Sequence, residues 1–352
     1  MRRTIKLATL GLFRNTGLFE AVANSNWRKH RLLILCYHGI SLEDEHLWRP
    51  QLYMQPELLE KRLETLRAMR CSVLPLGEAL DRLQVGDLPP RSVAITFDDG
   101  TYDFYKQAYP LLQERKLPVT VYQTTYYAEH EFPIFNLICS YLLWKKRDKK
   151  VVAAQALGFS EPLNLGSEIS RHKIVRSLIE RSESEKMTGK DKNALAAELA
   201  KILGLDYAEI AAKRIVQLMN ARELAEVSSN GVDIQLHTHR HRSPEDELAF
   251  SSEVEQNRDK IKKLTGKDAN HFCYPSGIYR QEFVGWLEKE RVVSATTCDG
   301  GLATRRSNRY LLPRLVDTSG RSQIEFESWL SGVGPILVLR RSASQKYIVR
   351  EE

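Results

Sequence analysis

The chain has little cysteine and spends it without pattern. Its five cysteines, Cys36, Cys71, Cys139, Cys273 and Cys298, are odd in number and scattered over 352 residues, and no C-x-x-C pair occurs. That argues against a disulfide framework or a thiolate zinc finger and fits reduced thiols in a cytoplasmic protein. Long apolar runs are also missing: none approaches the roughly 20 residues that a spanning helix needs. Charge of one sign is in short supply too, with 52 Lys+Arg against 45 Asp+Glu, a net charge of +7. So diffuse a basic excess suits an anionic lipid surface or an acidic glycan and excludes nucleic acid as the expected partner, since no RRM-like motif accompanies it.

The first thirty residues need their own reading. MRRTIKLATLGLF starts basic and turns apolar, as a signal peptide does, but Lys6 interrupts the apolar part, Arg14 closes it, and no small-residue cleavage site follows. Residues 1–30 therefore read as an amphipathic helical segment. Such a helix rests either on the inner surface of a membrane, which would make the protein peripheral there, or on the body of its own domain.

What is present is ordinary globular composition, 42% hydrophobic and 28% charged, enough for a large core. Strand-like runs alternate with helical patterns: RLLILCYHG, then PELLEKRLETLRAM with Leu59, Leu63 and Leu66 on one face, RSVAITF, TYDFYKQAYPLLQERK and PVTVYQTT. The rhythm resumes with VDIQL and a helix over SEVEQNRDKIKKLTG, which Ser243 and Pro244 are placed to start and Gly266 to end. It continues through HFCY, QEFVGWLEKE, VVSAT, LLPRLVD, a helix around QIEFESWL, and a final apolar run PILVL. This β-α-β-α order predicts an α/β fold with a parallel sheet, open or closed into a barrel, over residues 31–340. Residues 130–228 are helical throughout and read as an insertion covering the barrel mouth; 341–352 read as a tail. The basic cluster at 145–150 reads as a solvated helix end or, more sharply, as a contact for anionic lipid or glycan.

Four polar clusters each follow a predicted strand: Tyr37-His38-Gly39, Asp98-Asp99-Gly100, the HTHRH run at 237–241, and Pro275-Ser276-Gly277. In parallel α/β folds functional groups gather at the carboxyl ends of the strands. Asp98 and Asp99 repel each other unless a cation intervenes. His237 and His241 supply the neutral imidazoles that metals prefer, provided a loop turns the second back toward the first. Two histidines and one aspartate leave coordination positions open, the mark of a catalytic rather than a structural site. His239 is held in reserve as a supporting or substrate-facing residue.

TFDDG, HTHRH and YPSG resemble the signature motifs of the polysaccharide deacetylases, the NodB-homology carbohydrate esterases, over about 31–125 and 229–340. The resemblance implies a distorted (β/α)7-type barrel, a bound divalent metal, most often Zn2+, and hydrolysis of N-acetyl groups on amino sugars of a glycan substrate. It assigns Asp98 as catalytic base, Asp99, His237 and His241 as metal ligands, and Tyr274 and Ser276 to the substrate and oxyanion side, where a backbone N–H of the motif binds the oxyanion. Two departures stand out. Cys273 occupies the place of the family's arginine, and the C-terminal LLLH-type motif is replaced by ILVLR. LCYHG resembles the start of a permuted branch of the family, in which His38 would serve as general acid and Arg314 would orient Asp98. The alternatives are a deformylase or deacetylase of a lipid-linked sugar, and a catalytically silent glycan-binding barrel.

Overall fold

The computed structural model describes residues 2–129, 132–149 and 154–339. Eight parallel strands form one curled sheet: β1 (Leu33–Tyr37), β2 (Ser72–Val73), β3 (Ser92–Phe97), β4 (Thr120–Gln123), β5 (Asp233–Leu236), β6 (His271–Cys273), β7 (Ser294–Thr296) and β8 (Leu315–Val316). The continuous path of seven runs β8-β1-β3-β4-β5-β6-β7, with β2 laid on the start of β3. A single parallel bridge from Thr296 to Leu312 carries the β7 edge back toward β8. The result is the expected distorted seven-stranded barrel, left partly open.

Strands β1, β3 and β4 are buried along their whole length, as near-continuous apolar runs are in a parallel sheet covered on both faces. Leu59, Leu63 and Leu66 of the helix Pro56–Ala68 are buried with them, together with Ile95, Phe97, Val121, Leu236 and Phe272. The helix predicted over TYDFYKQAYPLLQERK opens as a π-helical turn, Phe104–Ala108, before the α-helix Tyr109–Glu114. Pro110 lacks an N–H, so the backbone around it cannot keep a plain α-helical ladder.

Helices Phe135–Lys145, Glu168–Ser184 and Gly189–Leu203 pack on one another around a second apolar cluster that includes Ile138, Leu142, Leu178 and Leu199. This helical unit is stitched to the loops that carry the candidate site. Thr101 bridges Leu218, Met219 N–H donates to Gly100 O at 3.0 Å, and Tyr102 N–H donates to Gln217 O at 2.8 Å. Lys145 pairs with Asp44 at 2.7 Å and Arg147 lies over Trp144, so part of the basic cluster at 145–150 is engaged with the protein itself; Lys150 lies outside the described residues, as do Arg340 and the tail 341–352.

Helix Arg2–Asn15 rests on the body of the domain. Leu10 is buried against Phe19 and Val333, and Lys6 and Arg14 pair with Glu325 and Glu327 at 2.6 and 3.3 Å. Ile5 and Leu12 remain exposed on its outer side. Among the described residues no helix is long and apolar enough to cross a membrane.

Two expectations about element ends are corrected. The helix after the histidine cluster starts at Glu247, not at Pro244: Asp246 caps it by accepting from Ala249 N–H, while Ser243 lies in the preceding loop. Asp outcompetes Ser here because its carboxylate also meets the positive end of the helix. PILVL, read as a closing strand, lies in the helix Val333–Leu339. A short apolar run has no period to distinguish strand from buried helix, and the last described segment packs on a helix rather than on a sheet edge.

Candidate active site

Asp98 is the first residue past β3 and is buried. Arg314, just before β8, is also fully buried and meets it as a fork: Nη1 donates to Oδ1 and Nη2 to Oδ2, both at 2.7 Å. The guanidinium is itself held by Thr297 O at 2.9 Å and Thr96 Oγ1 at 3.2 Å. Burial by itself would raise the Asp98 pKa, but the Arg314 charge and its paired hydrogen bonds hold the carboxyl well below the usual carboxylate range. Arg314 Nη2 also lies 3.1 Å from the Cys273 thiol. Arg314 thus sets a guanidinium against Cys273, the position where the family resemblance leads one to expect an arginine. Cys36 and Cys273 place their sulfurs 3.4 and 3.5 Å from Asp98 Oδ2, and burial pushes both thiols up, keeping them protonated. His38, one residue past β1, sets Nε2 at 3.7 Å from the same oxygen.

Asp99 points elsewhere. It adopts a left-handed backbone (φ 72°), followed by Gly100 (φ 74°), so the chain turns sharply and separates the two carboxylates. Its Oδ1 lies 3.2 Å from His237 Nε2 and 3.3 Å from His241 Nε2. Thr238 and His241 are also left-handed, at φ 61° and 56°, and these kinks bring the second imidazole back to within 4.9 Å of the first, centroid to centroid. Left-handed non-glycine residues cost of order 1–3 kcal/mol each and concentrate where geometry matters more than ease. The loop is braced from the helix Glu247–Thr265: Asn257 accepts from His237 N–H at 2.9 Å, and Glu253 accepts from the backbone N–H of Arg240 at 2.7 Å.

The donor set fits a divalent cation. His237 Nδ1 donates to Cys273 O at 2.8 Å, which fixes the ring and leaves Nε2 as the atom facing Asp99. Burial would depress His237, but Asp99 and Asp98 outweigh it and raise its pKa. Something positive belongs between Nε2 and Oδ1. His241 Nε2 faces the same oxygen, so one cation satisfies all three. Asp98 also clusters with His237 and Cys273, and with Cys36 and His38. Those groupings are poorer hosts, because Arg314 already occupies both Asp98 oxygens and repels a cation.

The remaining predicted residues divide. Ser276 is exposed, with φ 55°, in the turn Pro275–Gly277 after β6. The turn's own bonds run from Gly277 N–H to Tyr274 O and from Ile278 N–H to Pro275 O, and neither uses the Ser276 N–H. Tyr274 is turned away: its ring is buried in the core and its hydroxyl donates to Tyr310 O at 3.0 Å, so its side chain offers nothing to a substrate. His239 Nδ1 meets Thr125 Oγ1 at 2.9 Å and its ring packs edge-on to Tyr126, which makes it a brace of the loop. Cys36, Asn257 and Glu253 carry no local signal: Cys36 lies in an apolar strand, and Glu253 and Asn257 lie among the other polar residues of a helical run.

Gly100 has no substitute here. A Cβ at that position would sit 1.8 Å from Gln123 Oε1, on a backbone at φ 74°. Gly100→Ala is expected to lower unfolding stability by at least about 1–3 kcal/mol, read as a lower midpoint in urea; an unchanged midpoint would show that Gln123 yields freely.

Residues 85–177 and 187–290, more than half of the chain, match the sequence model of the polysaccharide deacetylases. The chain belongs to the polysaccharide deacetylase family. Its fold is similar to that of the Streptococcus pyogenes deacetylase PplD, solved in complex with acetate, at 17% identity and TM-score 0.55 over 83% of this chain and 94% of that one. It is similar also to IcaB from Ammonifex degensii, at 15% identity and TM-score 0.51 over 86% and 97%. A polysaccharide deacetylase from Bacillus cereus aligns at 15% identity and TM-score 0.51 over 86% and 69%. No curated protein matches.

Proposed function

We propose that this chain is a metal-dependent hydrolase that removes N-acetyl groups from amino sugars of a polysaccharide or glycan precursor. The observation that carries the reading is the convergence of His237 Nε2 and His241 Nε2 on Asp99 Oδ1, at 3.2 and 3.3 Å, beside a second carboxylate kept ionised by Arg314. Asp99, His237 and His241 hold the ion, for which Zn2+ is the best match to a two-imidazole, one-carboxylate set. When bound, it supplies Lewis acidity at the amide carbonyl and acidifies water at the site.

Asp98 accepts the proton of the attacking water. Its fork with Arg314 fixes the carboxylate plane and leaves a lone pair on Oδ1, while Oδ2 also faces the Cys36 and Cys273 thiols. The low basicity this pairing imposes is matched to an acidified donor. The Ser276 N–H, which its own turn does not use, is the donor assigned to the amide oxygen as it gains charge, and a single such donor contributes about 3–4 kcal/mol. His38 protonates the departing amine; an amide nitrogen leaves only once protonated. A silent binding barrel is the alternative because the family's arginine and C-terminal histidine are both missing from their usual places; the contacts of Arg314 with Asp98 and Cys273 support the catalytic reading over it. The His38 and Arg314 pair follows the permuted branch that LCYHG resembles.

Two measurements test the reading. Metal-loaded protein incubated with N-acetylated glycans should release acetate and leave free amines by mass spectrometry; formate from a lipid-linked sugar would select the deformylase, and metal binding with no product would select the silent barrel. His237→Ala should reduce bound metal by more than about tenfold, since loss of a ligand exceeds the 10–100-fold cost of losing an outer-shell partner. Full metal occupancy in that variant would displace the site from these residues.

A further inference from the structure

Asp103, four residues past Asp99, is buried and takes no part in the scheme above. Its Oδ1 accepts from Ile40 N–H at 2.9 Å and from the Thr101 hydroxyl at 2.8 Å. Ile40 lies two residues past His38, and Thr101 two past Asp99. One carboxylate oxygen therefore ties the loop after β1 to the loop after β3, beyond the bond from Asp98 N–H to Tyr37 O at 2.9 Å. The His38 loop is otherwise fastened to the short strand Tyr53–Met54: Gly39 N–H donates to Leu52 O and Ser41 N–H to Met54 O, at 3.0 and 2.9 Å. A Cβ on Gly39 would meet the Tyr53 ring at 2.1 Å. Those contacts fasten the loop on its far side; beyond the last β1–β3 bond at Tyr37, its tie to the Asp98 loop is the Asp103 oxygen.

We infer that Asp103 is a positioning residue that holds the His38 imidazole opposite Asp98 through the Ile40 N–H. The inference rests on the reading of His38 as the general acid. Burial, together with the charges of Glu45 and Asp99, pushes the Asp103 carboxyl up to about 8 against the pull of its two hydrogen bonds. Near neutrality it is largely protonated, and a carboxamide keeps its shape and its accepting oxygen.

The test compares Asp103→Asn, Asp103→Ala, His38→Ala and the double alanine variant, with an N-acetylated chitooligosaccharide as substrate, bound metal, and the NMR resonances of the His38 ring as readouts. Asp103→Ala should lower kcat by about tenfold or more with KM and bound metal unchanged, and Asp103→Asn should restore most of it. In the His38→Ala background, Asp103→Ala should change kcat by less than about twofold, because the two act as a unit. The His38 resonances should move in Asp103→Ala and stay in Asp103→Asn. Unmoved resonances in Asp103→Ala, or an equal loss of kcat with and without His38, would overturn the inference. Full turnover in His38→Ala alone would instead remove His38 as the acid, while the resonances still report whether Asp103 holds its ring.

Discussion

His38→Ala should bind metal like the parent protein and lose about 10²–10⁴-fold in turnover, the range a positioned general acid contributes. The reason is geometric. His38 is carried by β1 and stands 3.7 Å from Asp98 Oδ2, outside the Asp99-His237-His241 cluster. Its removal leaves every proposed ligand in place, so metal content by elemental analysis and acetate release should separate cleanly. The loss should fall on kcat and kcat/KM alike, since the proton is needed only as the C–N bond breaks. A substrate with an activated leaving group, such as an N-acetyl arylamine, should narrow the gap between variant and parent. Unchanged turnover with full metal would assign the leaving-group proton elsewhere.

Arg314→Met should be the most destabilising change at the site. Arg314 and Asp98 are fully paired and buried; removing one partner of such a pair costs about 3–5 kcal/mol because the other is left as an uncompensated charge. The pH dependence follows from the direction of the Asp98 shift. Its folded-state pKa lies below the unfolded value of about 3.9, so its contribution to stability is present above about pH 4 and is lost as pH falls toward the folded-state pKa. In the variant the unpaired buried carboxyl takes up a proton at a higher pH, which relieves its penalty. The stability gap between parent and variant should therefore be widest near neutral pH and close on acidification, measured by urea unfolding across a pH series. A gap that does not change with pH would mean that lost packing, not lost charge pairing, is the cause. Arg314→Lys keeps the charge but not the two-pronged geometry, and should fall between the two.

Much of the architecture was legible in the chain because its signals are local. An apolar run that ends in polar residues reads as a strand feeding an active-site loop, and four such runs carried Asp98, His38, the histidine pair and Ser276 to one end of the sheet. TFDDG and HTHRH lie within five residues each, so the candidate ligands Asp99, His237 and His241 that the fold brings together could be named from the sequence. The cap at Asp246 and the helical state of PILVL were not legible, because neighbouring capping residues compete on small energy differences and a short apolar run has no period.

The sequence by itself determined the alternation of strands and helices, the candidate ligand residues and their place at strand ends, since each depends on residues close together in the chain. Tertiary structure alone decided which partner answers which charge. Arg314 reaches Asp98 across 216 positions, Asn257 and Glu253 brace the histidine loop from a helix, and Tyr274 turns inward to Tyr310. Such pairings arise when β8 closes beside β1 and when helices lie back on the sheet; no spacing in the chain encodes the distance between two side chains until burial drives polar groups to find partners.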